Sequence, residues 1–557
     1  MGIAWAPEFL DHCALILVCF VRQQTPMKTT VISCLLSLLS TAYVSQAQPA
    51  AATNLRIINN PPKARSLTDL VFAISPGQGT LSKSYKIYAI DIDGDSVTYS
   101  GYGLPNGATI DSATGELRMQ VSESDIGKTF SNIKISMSDG KATVSKTISI
   151  SIHQPKKYYV AKAGSDSNPG TANLPWLTIG KSTGYVLPGD TVFISAGNYA
   201  ERVTTKSTIN GCDYITYTNN ADGEVVMRGF EIYQDYVWIA GLTVTSAGSD
   251  ISGIWIDGNI SKITGNYINN IGGREAAAVN AYWYDRPFGA YIASNHIFKC
   301  QFGIWTFGFN WTNEYNNIER PYQWNSGADS DYCEVFGEGH VFRYNYLHGA
   351  LTNEVPTAHL DCFQTYDDPK SKYWAANILI EHNLCSDFDE GFIGEATDLR
   401  RSHNITIRNN VFFNGLPLPY KTGYPNGVAG VIVHDIPGVV VTNNTFYNIG
   451  YGIEWATNYW VLATNAVIKN NIFYKQAFPY DYFNGIADYN MGYLVRTNGY
   501  VTGPHDLYNA DPLFVNPNDP LGPDGIVGTA DDGFQLRSGS RGKTAGENGV
   551  QVGAYGP

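Results

Sequence analysis

Charge is scarce in this chain. Only 16% of its 557 residues are charged, and acids outnumber bases to leave a formal charge of −13. That argues against a general affinity for nucleic acid or an anionic membrane, because both need positive potential. Cysteine is scarce too. Cys13, Cys19 and Cys34 lie in the first 47 residues, and Cys212, Cys300, Cys333, Cys362 and Cys385 are odd in number and lack CxxC spacing. This speaks against a disulfide framework or structural zinc and for buried thiols, with a single bridge as the alternative. No phosphate-cradling glycine loop, zinc-ligand pair or serine nucleophile elbow is present, and no later apolar run approaches the ~20 residues of a membrane span. What is abundant is glycine (56) and tyrosine (37), the composition of turns and aromatic-bearing strands. An all-β chain of two or more domains is expected.

Met27-Lys28 opens an apolar run that ends in Ser45-Gln46-Ala47, the small residues a signal peptidase prefers. Residues 27–47 read as a secretory signal peptide and the preceding residues as the product of an upstream start, together a leader over 1–47. The mature protein is therefore expected to be secreted, extracellular or periplasmic. From 53 to 154, short alternating runs such as YKIYAIDID and KTISISI are punctuated by DGD, LPNG and SDG turns, which is a β-sandwich pattern. This segment resembles the cadherin-like or putative Ig modules of bacterial surface and secreted proteins. Asp91, Asp93 and Asp95 in its DIDGD turn suit either a solvated turn or a Ca²⁺ loop. HQPKK, His153 to Lys157, reads as a linker.

Beyond it one phrase recurs: apolar-x-x-Asn-x-apolar, in ITGNYI, IASNHI, FRYNYL, IEHNLC, IRNNVF, VTNNTF and IKNNIF. Its asparagines are Asn266, Asn295, Asn345, Asn383, Asn410, Asn444 and Asn471, with Asn317 of EYNNIE placed between the second and third. The shortest gap, Asn295 to Asn317, is 22 residues and the longest, Asn345 to Asn383, is 38. A fixed minimum with variable excess is the signature of a parallel solenoid whose loops grow outward. Asparagines stacked at a bend can bond coil to coil and adopt the left-handed conformation there. Companion strands (SGIWID, FGIWTF, CFQTY, GFIGEA, GVIVHD, GIEWAT) put Ile254, Ile304, Phe363, Phe392, Val431 and Ile453 in an inward column. The outward column holds Trp255, Trp305, Gln364, Ile393, Ile432 and Glu454, and two places on come Asp257, Phe307, Tyr366, Glu395, His434 and Ala456. Aromatics beside acids suit a groove that grips flat rings.

These repeats, the opening KYYVAKAGSDSNPGTANLPWLTIGKS and the closing ADPLFVNPNDPLGPDGIVGTADDGFQL with VGAYG are similar to the right-handed parallel β-helix proteins of the pectate lyase-like superfamily. The resemblance implies a right-handed parallel β-helix over 158–557. That superfamily includes lyases, hydrolases, epimerases, adhesins and phage spikes, so the fold does not name the reaction.

The densest cluster of functional residues runs from His359 to Glu395. Asp361 and Glu390 take the same place on neighbouring coils, with Asp389 beside Glu390. This resembles the aspartates of polygalacturonase-type hydrolases, although that family's flanking histidine and basic motifs are not recognisable here. Glycoside hydrolysis needs one carboxylic acid and one carboxylate at roughly 5–9.5 Å, and crowding of the two raises one pKa. The expected catalytic set is Asp361 with Asp389 or Glu390, and Glu395 in reserve. His359, Gln364, Trp305, Tyr366, His434 and Arg400 are expected to contact substrate. No cofactor is required for hydrolysis. Asp361, Asp387, Asp389 and Glu390 are alternatively a Ca²⁺ set that neutralises a uronate for β-elimination, with Arg400, Arg401, Lys421 or Arg343 as base. Asp524, Asp531 and Asp532 form a second Ca²⁺ candidate. A non-catalytic glycan-binding β-helix, stacking sugars on Trp255, Trp305, Trp455 and Tyr366, is the third reading. The expected partner in each case is polysaccharide, with neither nucleic acid nor membrane, and the chain is expected to act as a monomer.

Overall fold

The repeated asparagine phrase folds as a sharp corner. A strand such as His403–Arg408 ends at Asn409, whose φ of 56° is left-handed; Asn410 follows, then the strand Val411–Phe413 and a second left-handed residue, Asn414. A third strand, such as Ala429–His434, completes the coil. The computed structural model describes residues 59–65, 67–91, 93–206, 208–245, 250–281, 287–367, 373–396, 401–416, 429–456, 464–476, 478–480, 485–496 and 502–557. In it the first strands stack as a 14-stranded sheet from Lys157–Val160 to Gly485–Asp488. The second and third strands form a 22-stranded sheet from Gly197–Thr204 to Leu507–Tyr508. The result is a right-handed parallel β-helix, the hand that parallel crossovers adopt in about 98% of cases.

Register fixes the core. On the first face Ile292, Asn313, Phe342, Ile380, Ile407, Val441 and Ile468 pair in succession. On the second, Phe412, Phe446 and Phe473 stack at centroid distances of 5.5 and 5.2 Å. The inward column Ile254, Ile304, Phe363, Phe392, Val431 and Ile453 is fully buried, as its alternation predicts. Glycines make room for the rings: a Cβ on Gly391, Gly430 or Gly452 would lie 2.5, 2.3 and 2.5 Å from Phe412, Phe446 and Phe473. Cys362 replaces glycine one coil earlier, where the facing side chain is the smaller Cys385. All five of these later cysteines are free thiols, and four of them are buried.

Asn266, Asn295, Asn316, Asn345, Asn383, Asn410, Asn444, Asn471 and Asn490 form one continuous buried row. Each donates its backbone N–H and its Nδ2 to the Oδ1 of the next, as from Asn383 to Asn410 at 2.9 and 3.0 Å, and Nδ2 also donates to a carbonyl of the preceding coil, here Phe342 O at 2.9 Å. The row ends at Asp506, whose Oδ1 accepts from Asn490 N at 2.7 Å. Three details correct the sequence reading. The member between Asn295 and Asn345 is Asn316, not Asn317, and Asn490 extends the row after only 19 residues. The left-handed residue is the one before each asparagine: Ser294, Tyr315, Tyr344 and His382 have φ of 54–55°. The amide is therefore selected for its two-sided bonding, and the strained position tolerates other side chains.

Between Lys63 and His153 the strands are largely antiparallel. Thr143–His153 pairs with Thr129–Ser138, and Thr80–Lys86 with Glu116–Ser122, around Phe72, Leu117, Val121, Ile133, Ile135 and Ile150. Asp69–Ala73 adds a parallel partner from the solenoid, Ile209–Gly211, and Arg65 pairs with Asp257 at 2.8 Å. Asp257 thus belongs to a junction and not to the groove. The segment read as a linker is pinned: Asp190 Oδ1 lies 2.7 Å from His153 Nε2 and accepts from Lys156 N at 2.7 Å. Asp93 accepts from Asn60, and Asp95 pairs with Lys141, so the DIDGD acids are held as turn-formers by donors of the protein.

Candidate active site

The third strand of each coil begins at a position that stacks into a row. Ala277 pairs with Phe302, Asp361 with Glu390, Glu390 with Ala429, and Ala429 with Tyr451. The pairing of Glu334 with Gln364, continued back along the strand, sets Asp331 beneath Asp361, and the Asp361 amide donates to Asp331 Oδ1 at 2.7 Å. Three successive coils, about 4.8 Å apart, therefore carry Asp331, Asp361 and Glu390 where neighbouring coils carry Ala, Phe or Tyr. Solenoid packing at this position is satisfied by apolar side chains, so the carboxyls are not needed to build the fold.

His359 joins two of them. Its Nδ1 lies 2.8 Å from Asp361 Oδ2 and its Nε2 2.9 Å from Glu390 Oε2. The side chains of Asp361 and Glu390 are 0% and 3% exposed and that of His359 is 28% exposed. The expectation of carboxylates lining an open external cleft is therefore corrected: the pair is buried, and the histidine is the member that meets solvent. Asp331 Oδ2, Glu334 Oε2 and Asp361 Oδ1 are buried with no hydrogen-bond partner among the described residues.

Burial pushes Asp331, Glu334 and Asp361 far above the ordinary carboxyl range. Asp329, Asp361 and Glu334 add to it at Asp331; Asp329 and Glu275 add to it at Glu334; at Asp361 the attraction of His359 opposes it and Glu390 reinforces it. Asp329 is raised by burial as well, with His359 pulling it back. For His359, burial favours the neutral ring, yet the charge and hydrogen bonds of Asp361 and Glu390 outweigh it and hold the imidazolium well above its ordinary 6.5. The cluster retains protons at neutral pH, which a general acid requires.

Other predicted residues are placed elsewhere. Asp387 sits at the second bend with φ 57°, where its Oδ2 accepts from Gly349 N and Ser386 Oγ, both at 2.9 Å. It does not join Asp361 and Glu390, so the four-acid Ca²⁺ set is corrected. The donors that converge within 4.8 Å are His359, Asp361 and Glu390, and an imidazole holding both carboxylates does not match the six to eight oxygens calcium takes. Asp389 is buried beside Glu390, its amide donating to Leu360 O. Glu395 pairs with His434 at 3.0 Å further along the strand. Asp367 caps backbone, accepting from the Arg401 and Ser402 amides. Arg400, Lys421, Asp368 and the side chain of Ala456 fall outside the described residues. Trp455 is buried in the main apolar core, paired with Val433, and is no stacking platform. Asp524, Asp531 and Asp532 converge within 4.8 Å, and their oxygens accept from Ile526 N, Gly528 N, Thr529 Oγ1 and Tyr555 OH.

The outward column is Trp255, Asn280, Trp305, Glu334, Gln364, Ile393, Ile432 and Glu454. Sequence alignment missed Asn280 and Glu334, and with them Asp329 and Asp331, because their coils, AAAVNA and SDYCEVF, lack the Gly-apolar start of the others. The signal present was an aspartate just ahead of a buried cysteine in both SDYC and LDC. Tyr366 packs edge-on against Phe336 at 5.0 Å, and Trp305 stacks beside Phe307 at 5.9 Å.

No family model and no curated protein matches the chain. Among solved structures it is similar to pectate lyase Pel9A, with 17% identity and a TM-score of 0.43 over 72% of this chain and 96% of that one. It is similar to a rhamnogalacturonan lyase, with 15% identity and a TM-score of 0.40 over 69% and 97%. An alginate lyase from Paenibacillus sp. str. FPU-7 matches with 15% identity and a TM-score of 0.35 over 63% and 99%.

Proposed function

We propose that this chain is a secreted enzyme that cleaves polysaccharide by hydrolysis at the Asp361–His359–Glu390 cluster, its antiparallel N-terminal module being cadherin-like. The observation that carries the reading is the row of three carboxyls on successive coils, buried at a place where the fold accepts alanine or phenylalanine and beside a column that holds Trp255 and Trp305. Unpaired buried carboxyl oxygens cost stability, so their retention points to chemistry.

In this reading Asp361, fully buried and holding its proton, protonates the leaving oxygen, and Glu390 is the carboxylate partner. Both carboxyls meet the one His359 ring, at 2.8 and 2.9 Å, which holds the acid and the carboxylate that glycoside cleavage needs together on neighbouring coils. Access to the pair runs past the His359 ring, which meets both carboxyls. Gln364, on the same strand as Asp361, is placed to contact the sugar.

The donor set does not match calcium, so no step is derived through that ion. The test is incubation with a panel of plant and algal polysaccharides, following reducing ends, the ultraviolet absorbance of unsaturated uronates, and the anomer first released. New ends without absorbance support hydrolysis. Absorbance would establish elimination instead, and no change in any channel would leave glycan binding alone.

A further inference from the structure

We infer that the groove beside the acid row binds a neutral sugar unit and rejects uronates. The inference rests on the polysaccharide reading above and narrows it. A cavity of about 400 Å³ opens on the third face between Trp255, Trp305 and Tyr373, within the ~300–1,000 Å³ of small-ligand sites. Its floor comes from consecutive coils, since Trp255 pairs with Asn280 and Asn280 with Trp305.

Two polar atoms in that floor lack a partner. Trp305 Nε1 and Asn280 Oδ1 are buried without a hydrogen bond, on residues only 8% and 6% exposed. Asn280 Nδ2 already donates to Ser252 Oγ at 3.2 Å, which leaves the amide oxygen as the open acceptor. A buried donor and a buried acceptor side by side, under aromatic walls, match adjacent hydroxyls of a sugar ring: one accepts from the indole N–H and the other donates to the amide oxygen. An ionised carboxylate only accepts. It would answer Trp305 and leave Asn280 Oδ1 facing negative charge.

The charges around the cavity point the same way. Asp250 and Glu275 stand at its rim against one cation, Arg274. The two exposed rim carboxylates outnumber that cation, and within about one Debye length, ~8 Å at physiological salt, they repel a polyanion.

The test uses the full chain carrying Asp361→Asn, so that ligand is bound without turnover, and titration calorimetry at low salt. Neutral xylo-, gluco-, manno- and galacto-oligosaccharides are compared with oligogalacturonate and oligomannuronate of equal length. At least one neutral series is expected to bind, with both uronates weaker by about tenfold or more. Adding Trp305→Phe, which keeps a ring and removes the N–H, is expected to weaken the neutral ligand about 3- to 10-fold. The exposed pair Asp250→Asn with Glu275→Gln is expected to raise uronate affinity, a gain that misfolding cannot imitate. A uronate that binds as tightly as the neutral ligands, or a neutral affinity unmoved by Trp305→Phe, overturns the inference alone. Binding of neither class overturns it together with the polysaccharide reading.

Discussion

Two rows of buried polar side chains run up this solenoid, and they differ in one respect. In the asparagine row each amide both gives and takes, so every member bonds the next and the row satisfies itself. In the carboxyl row, Asp331, Asp361 and Glu390 can only accept unless protonated, so stacking them leaves Asp331 Oδ2 and Asp361 Oδ1 without a partner among the described residues and calls in His359. The first row is what a repeating fold selects for stability. The second is what a repeating fold tolerates at a few coils for another reason.

That contrast can be broken most sharply at Asp361. Asp361→Asn is expected to lower turnover by about 10²–10⁴-fold while leaving the thermal midpoint little changed, because the amide is as uncharged as the protonated acid it replaces; a reducing-end assay beside calorimetry reads both. The reverse pattern is expected in the other row. Asn410→Ala removes donors to Asn444 Oδ1 and Ile380 O and an acceptor for Asn383, and is expected to cost about 2–3 kcal/mol in denaturant unfolding, with activity per folded molecule retained.

The pH dependence of stability sharpens the comparison next. Asp331, Glu334 and Asp361 hold protons in the folded state above their ordinary 3.8, 4.5 and 3.8, and His359 above 6.5. All are raised, so the folded state binds more protons than the unfolded one. Their contribution is complete below those ordinary values and is lost as pH rises through the folded ones. The thermal midpoint is expected to fall from mildly acidic to alkaline pH, and Asp331→Asn to flatten that slope, as unfolding scans across buffers would register. The smallest effect belongs to Glu395→Gln: Glu395 is 45% exposed, so losing its pair with His434 is expected to change stability by about 0–1 kcal/mol.

The solenoid is legible in the residues because its period recurs many times, and an error at one coil, Asn317 for Asn316, does not disturb the rest. The pairing of Asp361 with Glu390 is legible for the same reason, since alignment of CFQTY with GFIGEA fixes it. Burial was not. Whether Asp361 opens to solvent depends on His359, which lies ahead of the strand and outside the repeat. Asp331 and Glu334 were hidden because SDYCEVF keeps the alternation but not the glycine that marks other coils. Asp387 looked like part of the acid cluster through closeness in sequence, but a left-handed bend separates it from Glu390.

Asp506 closes the asparagine row with a side chain that receives hydrogen bonds from Asn490, Gly503, Tyr480 and Tyr508 and, as a carboxylate, has nothing to hand onward. The row consequently has a direction and a stop. A further amide placed there would present an unanswered donor, an invitation for another chain to dock and continue the stack. The carboxylate withdraws that invitation, and the amide stack stops inside one molecule.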